Sequence, residues 1–259
     1  MLDQPSLVIF AFLMAFMNDS MGGGYGTLSA PLLLILGYPA RVTVPAILVS
    51  EASSELFSAL WHVKFKNVCY RAFGLMTVGG IFGIAAAVIV IGVFLTSTAA
   101  KLYISAIAVL MGIFVIVKSS SFFTKYSQRD KPKRISMPLT VTLGMICGFN
   151  KSSTGGGYGP LSTSGFQVLG LAPAEAVGTT IITKGTACLI SIVMWSGFIG
   201  IDLSVTIPMV IGALIGAPFA AWLNNYLKHK MSSSLHSRFL GVIMSLLGLY
   251  SLLKTLKAI

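Results

Sequence analysis

Residues 16–26 read Phe-Met-Asn-Asp-Ser-Met-Gly-Gly-Gly-Tyr-Gly, and residues 149–159 read Phe-Asn-Lys-Ser-Ser-Thr-Gly-Gly-Gly-Tyr-Gly. With Phe16 set against Phe149, half of the 22 positions from Phe16 to Gly37 are identical to their counterparts. Chance would give about one or two identities at ordinary residue frequencies. The match continues in the same register at Gly79 and Gly212 and at Gly83 and Gly216. The chain is therefore read as two related halves, each opening on a glycine-rich break.

The flanks of each break say what the break interrupts. Residues 7–17 and 28–36 are apolar and short, as are 139–149 and 161–171. Apolar stretches of about 10–14 residues suit re-entrant half-helices better than full spans. Six longer segments, 42–61, 72–94, 99–117, 174–195, 204–223 and 234–255, approach the roughly 20 residues a membrane helix needs. The whole chain agrees: 55% of its 259 residues are hydrophobic and only 10% are charged, against about 25% in a soluble domain. The reading is an all-α polytopic membrane protein of two inverted repeats, each a re-entrant hairpin followed by three transmembrane helices. The first repeat covers 1–117 with its hairpin at 5–37. A basic linker covers 118–137, and the second repeat covers 138–259 with its hairpin at 138–171.

The inversion follows from charge. Lys and Arg collect in three places: after the first long span (Lys64, Lys66, Arg71), in the linker, and before the last span (Lys228, Lys230, Arg238). Such loops stay in the cytoplasm. If each glycine-interrupted region crossed the membrane once, the linker and the Lys228 loop would face opposite sides. If each is a hairpin, both face inward. Three spans per half is an odd number, so the halves are inverted relative to each other. Inverted repeats with broken helices near the midplane are a recurring transporter architecture. On this reading Lys254 and Lys257 lie outside, against the charge rule. The net charge of +11 belongs to these loops; no basic stripe on a polar face points to nucleic acid. No cleavable leader is read at the N-terminus, where residues 1–17 lack a basic start. Trp61, Trp195, Trp222 and Tyr226 fall near span ends, where amphipathic rings sit well.

Non-helical backbone at membrane depth is tolerated only where it is buried in protein or lines a cavity. Glycines permit the sharp turn. The half-helix after each break begins with unpaired N–H donors and the positive end of its dipole. That is an anion site, and two of them meeting from opposite faces make a chamber. The expected ligands are the backbone and side chains at Ser20, Gly24, Tyr25, Gly26, Lys151, Ser153, Thr154, Gly157, Tyr158, Gly159 and Lys184. Pro160 suits the first position of its half-helix. Ionisable residues within apolar segments are costly and point to function: Asp19, Glu51 and Glu55 are the candidates for proton coupling. Lys184 occupies the repeat position of Glu51, so a Glu51–Lys184 or Asp19–Lys pair that is purely architectural stays open. The Gly79-x-x-x-Gly83 and Gly212-x-x-x-Gly216 pairs read as places of close helix approach.

Catalytic patterns do not emerge. His62, His229 and His236 all lie in expected loops, and there is no H-E-x-x-H, G-x-S-x-G or P-loop sequence. Neither cofactor nor metal is called for, and Cys69, Cys147 and Cys188 show no disulfide or metal spacing. Uphill transport would need an ion or proton gradient. The partners read from the sequence are a small anion and the lipid bilayer; a homo-oligomer is compatible with it.

Two stretches, Asp19-Ser-Met-Gly-Gly-Gly-Tyr-Gly26 and Ser153-Thr-Gly-Gly-Gly-Tyr-Gly-Pro160, resemble the TauE/SafE family of sulfite and organosulfonate transporters, also called the toluene sulfonate uptake permease family. Pro173-Ala-Glu-Ala-Val-Gly-Thr-Thr180 looks like that family's opening of the following span. The first-half counterpart, Pro39-Ala-Arg-Val-Thr-Val-Pro45, departs from it. The resemblance implies transport of a small sulfur-containing anion across a bacterial-type plasma membrane. A passive anion channel, a transporter of another small organic anion and a non-transporting scaffold are the rival readings.

Overall fold

The computed structural model describes residues 2–21, 24–119, 135–198, 200–227 and 233–257. Side chains are described for all of these except 19–21, 56–57, 61, 221–227 and 233–237. Most of the expected linker and the loop at Lys228 and Lys230 thus lie outside the described residues, as do the side chains of His229, His236, Trp61, Trp222 and Tyr226.

The described chain is all helical, in the same order twice. A helix and a short helix come first, α1 (Gln4–Met21) and α2 (Tyr25–Ile35), then three long ones: α3 (Ala40–Lys64), α4 (Tyr70–Ile89) and α5 (Ser97–Lys118). A π-helical turn, Val90–Phe94, extends α4. The second set is α6 (Met137–Thr154), α7 (Tyr158–Val168), α8 (Pro173–Phe198), α9 (Leu203–Leu227) and α10 (Ser233–Leu256). Among the described residues, five segments are long and apolar enough to cross a membrane: Tyr70–Phe94, Ser97–Lys118, Pro173–Phe198, Leu203–Ala220 and Arg238–Leu256. These are five of the six long segments read from the sequence. The sixth, α3, has the length but is diluted by Ser50, Ser53, Ser54, Glu51 and Glu55, all buried in the protein interior except the half-buried Ser53.

The breaks are shorter than the sequence suggests. Asn18, Asp19 and Ser20 belong to the last turn of α1, and Asn150 to Thr154 belong to the last turn of α6. Only Gly155–Gly157 interrupts the second hairpin. Both Gly155 (φ 76°) and Gly157 (φ 73°) are left-handed, a conformation that closes the end of α6 and opens α7 with no Cβ to clash. Pro160 sits third in α7 rather than first, still within the turn whose N–H groups need no helical acceptor. At the other end of the first hairpin, the Tyr38 hydroxyl donates to the Leu2 carbonyl (3.1 Å) and accepts from the Leu2 N–H (2.9 Å). The chain leaves the hairpin where it entered it.

Each hairpin packs on a long helix of the other half. Helix α1 lies along α9 and α6 lies along α4. Glycine sets both approaches: a Cβ on Gly79 would stand 2.0 Å from the Val141 carbonyl oxygen, and one on Gly212 would stand 2.2 Å from that of Val8. The pairs Gly83–Met145 and Gly216–Phe12 repeat the contact one turn on, at 2.0 and 2.6 Å. Every member of one contact is the repeat counterpart of a member of the other, in the register that sets Phe16 against Phe149. The small-x-x-x-small spacing therefore does what close helix packing requires. Helix α3 packs on α8, and α5 on α10, through the Ser105–Ser251 hydrogen bond (2.8 Å).

The two halves differ in how their short helices are covered. Helix α2 packs against α5 and α10, with Lys254 Nζ donating to the Ile35 carbonyl at its end (2.7 Å). The α7 side is more open, and a Cβ on Gly159 would meet nothing within 4 Å.

Candidate functional site

The first tip is built by Asn18. Its Oδ1 accepts from the Gly24 and Tyr25 N–H groups, both at 3.0 Å, so two of the orphan donors at the start of α2 are satisfied by the helix that precedes it. Gly24 has φ 142°, open to glycine alone. At the second tip, the Gly156 N–H donates to Thr154 Oγ1 (3.1 Å), and the Asn150 amide donates to the Gly156 carbonyl (3.4 Å).

The tips cross in direct contact. The Gly157 N–H donates to Thr27 Oγ1 across the crossing (2.8 Å). A Cβ on Gly26 would fall 1.7 Å from the Gly155 carbonyl oxygen, and one on Gly156 2.4 Å from the Thr27 nitrogen. Thr27, the repeat counterpart of Pro160, is thus the residue that joins the tips. Both tyrosines are fully buried, and each reaches the following long helix. Tyr25 bonds Ser50 Oγ (2.8 Å) and Tyr158 bonds the Thr183 side chain; Ser50 and Thr183 are themselves repeat counterparts. These hydroxyls set the angle of each half-helix against α3 and α8.

Beside the crossing, four charged side chains meet. Lys151 from α6 and Lys184 from α8 contact Glu51 and Glu55 of α3. Lys151 Nζ bonds Glu51 Oε2 and also donates to the Gly155 carbonyl (2.8 Å). Lys184 Nζ lies 3.2 Å from Glu51 Oε1 and bonds Glu55 Oε1. Lys151, Lys184, Glu51 and Glu55 are 0%, 7%, 3% and 4% exposed, so these are true interior charges. Two carboxylates and two ammonium groups cancel. Glu51 and Glu55 share a face because they are four apart on a helix. The thiol of Cys188, one turn beyond Lys184 and the repeat counterpart of Glu55, lies within electrostatic reach of all four.

A recess opens where tips and charges adjoin, lined by Gly24–Thr27, Gly156–Pro160, Glu51, Lys151 and Lys184. Most of the expected ligands are here: Gly24, Tyr25, Gly26, Lys151, Gly157, Tyr158, Gly159 and Lys184. Ser153 and Thr154 do not line it. Their hydroxyls donate to the Asn150 carbonyl at 3.2 and 2.7 Å, and Ser153 also meets the Tyr103 hydroxyl at 3.2 Å, so they hold the tip in shape. The side chains of Asp19 and Ser20 lie outside the described residues. Of the nominated N–H groups, those of Gly24, Tyr25 and Gly157 have protein acceptors. Those of Gly26, Tyr158 and Gly159 have none among the described residues.

A family model described as sulfite exporter TauE/SafE matches residues 7–251, which takes in both hairpins, both tips and the charge cluster. The chain belongs to the TauE/SafE family. Its similarity extends to a Bacillus subtilis (strain 168) protein named "Probable membrane transporter protein YtnM", 28% identical over 235 residues, covering 85% of this chain and 75% of that one. No solved structure matches. This TauE/SafE member is thus a multi-pass membrane transporter of the plasma membrane.

Proposed function

We infer that the protein is a secondary transporter of a small sulfur-containing anion, sulfite or an organosulfonate, driven by a proton gradient, with its two halves inverted in the membrane. The observation that carries this is the crossing of two half-helix starts beside a buried, electrically balanced set of carboxylates and ammonium groups. Helix starts favour anions through N–H donors and dipole. The N–H groups of Gly26, Tyr158 and Gly159 face no competing acceptor among the described residues, and the lysines supply charge at the wall of the recess. Lys151 has two of its three donors committed. Small tetrahedral or pyramidal oxyanions fit such a donor set.

Inversion is supported by the reciprocal packing of α1 on α9 and α6 on α4. It also assigns sides without conflict: the Arg238–Ser119 contact joins two ends placed in the cytoplasm, and the Lys254–Ile35 contact joins two placed outside. Lys254 thus has a local reason, capping α2, to depart from the charge rule.

The test is uptake into proteoliposomes of sulfite, sulfoacetate, taurine and chloride, each with and without a pH gradient that is acid outside. Gradient-driven accumulation of sulfite or sulfoacetate, with chloride excluded, is the expected result. Chloride passing as readily as sulfite without a gradient would make the protein a passive anion pore instead.

A further inference from the structure

The four interior charges sum to zero before any substrate arrives. An anion entering the adjoining recess adds negative charge where water cannot screen it, and such charge is not held unpaired. A proton taken up by one of the two carboxylates would restore the balance. The contacts distinguish them. Glu51 is bonded through both oxygens, Oε2 to Lys151 and Oε1 to Lys184. Lys151 in turn holds the Gly155 carbonyl, the left-handed cap of α6. Neutralising Glu51 would loosen two lysines and the second tip together. Glu55 has one partner, Lys184, on Oε1, and its other oxygen has none among the described residues. Neutralising Glu55 releases a single contact, while Lys184 stays anchored on Glu51.

Resting on the anion-transport reading above, we propose that Glu55 carries the proton that travels with the anion, and that Lys184, released on that side, turns its donor to the substrate. The groups facing Glu55 are Glu51 on its own helix, Lys184 and Cys188 from α8, and Lys151 from α6. Helix α9, which also packs on α3, brings no titratable side chain within Leu203–Ala220. The step balances as follows: the Glu55 carboxylate accepts one proton, its bond to Lys184 is lost, and Lys184 bonds one anion. Release of the anion returns Lys184 to Glu55 and expels the proton on the side of release. One proton per monoanion makes the cycle electroneutral.

The experiment uses the full chain in proteoliposomes with sulfite as probe, comparing wild type with Glu55→Gln. Two readouts are taken: accumulation under a gradient of one pH unit, acid outside, and sulfite-for-sulfite exchange without a gradient. One coupled proton can concentrate the hydrogen-sulfite monoanion at most about tenfold per pH unit. Wild type should accumulate sulfite toward that limit. Glu55→Gln should lose the gradient stimulation yet keep exchange. Gradient-driven accumulation unchanged in Glu55→Gln overturns the assignment and leaves the anion reading standing. Absence of both accumulation and exchange in wild type overturns both. Should Glu55→Gln not fold, wild type is treated at acid pH with dicyclohexylcarbodiimide, which modifies protonated buried carboxyls. Modification mapped to Glu55 and reduced by sulfite-free alkaline conditions supports the proposal; modification confined to Glu51 overturns it.

Discussion

Lys184 is the repeat counterpart of Glu51, in the register that aligns the two glycine breaks, and its Nζ lies 3.2 Å from the Glu51 Oε1. Equivalent positions on α3 and α8 thus meet face to face and carry opposite charges. Two copies of either residue would repel at this point in the interior. Because the two halves carry different residues at this one position, the self-facing contact of the repeat is an ion pair, and Lys151 and Glu55 complete it.

Lys151→Ala should be strongly destabilising, because it removes one partner of a buried pair and also the donor to the Gly155 carbonyl. Breaking such a pair from one side costs about 3–5 kcal/mol. Lys151→Ala with Glu51→Gln should regain much of that loss. Thermal unfolding of the purified proteins in detergent checks this. A double variant no more stable than the single one would show that the pair is not what Lys151 contributes.

The tip glycines should divide into two classes. Gly26→Ala drives a Cβ to 1.7 Å from the Gly155 oxygen, a backbone atom that cannot move aside, so the tips cannot cross and both folding yield and transport should collapse. Gly159→Ala has open space around its Cβ. It should fold as well as wild type while lowering affinity for sulfite, since the methyl group intrudes on the recess. Expression, monodispersity and uptake of the two variants side by side decide it; equal behaviour of both would contradict the crossing.

How much of this can be read from the residues alone depends on how far apart the partners lie. Local signals are legible: the duplicated Gly-Gly-Gly-Tyr-Gly marks both breaks, and Gly79, Gly83, Gly212 and Gly216 announce close packing. The Glu51–Lys184 relation is visible because the repeat offset places both at one position. Lys151 is different. Its charge could pair with Asp19 or Glu51, and only the placement of α6 against α3 brings it to Glu51. Asn18 as acceptor for the first tip, and Thr27 as the bridge between tips, also depend on three-dimensional proximity that no spacing encodes. The sequence makes the breaks look too long because Asn18, Ser152 and Thr154 are poor helix formers in isolation; burial against neighbouring helices overrides that preference.

Thr27 gives a finer test of the crossing. Thr27→Val keeps the shape and removes the acceptor for the Gly157 N–H, leaving a buried donor unpaired at a cost of about 1–3 kcal/mol. Thr27→Ser should restore the bond and most of the stability. Unfolding temperatures in the order wild type, Thr27→Ser, Thr27→Val are expected. Equal temperatures for the Ser and Val variants would argue that the bridge contributes nothing.

Topology can be tested by thiol labelling in intact cells, with Cys147 and Cys188 left in place because both are buried. Cys69, partly accessible after α3, should react only when a membrane-impermeant reagent reaches the cytoplasm. The variant Gly197→Cys should react from outside. Gly197 suits the purpose because nothing crowds its Cβ, whereas Gly200 has φ 86° and would be strained. Labelling of both from one face would exclude the inverted arrangement.

The reciprocal packing of hairpins and long helices constrains how the protein is made. Helix α1 leaves the ribosome well ahead of α9, yet the surface that fits its Val8 and Phe12 carbonyls belongs to α9, eight helices later. Until α9 is inserted, the first hairpin must wait in the membrane without its partner, with Asn18 and a glycine tip already at its apex. Helix α6, by contrast, finds α4 waiting for it. Biogenesis is therefore lopsided even though the finished packing is reciprocal: the second hairpin docks as it emerges, and the first is clasped last. Chains truncated before α9 should be recognised by membrane quality control through an unclasped α1, whatever the state of the helices between.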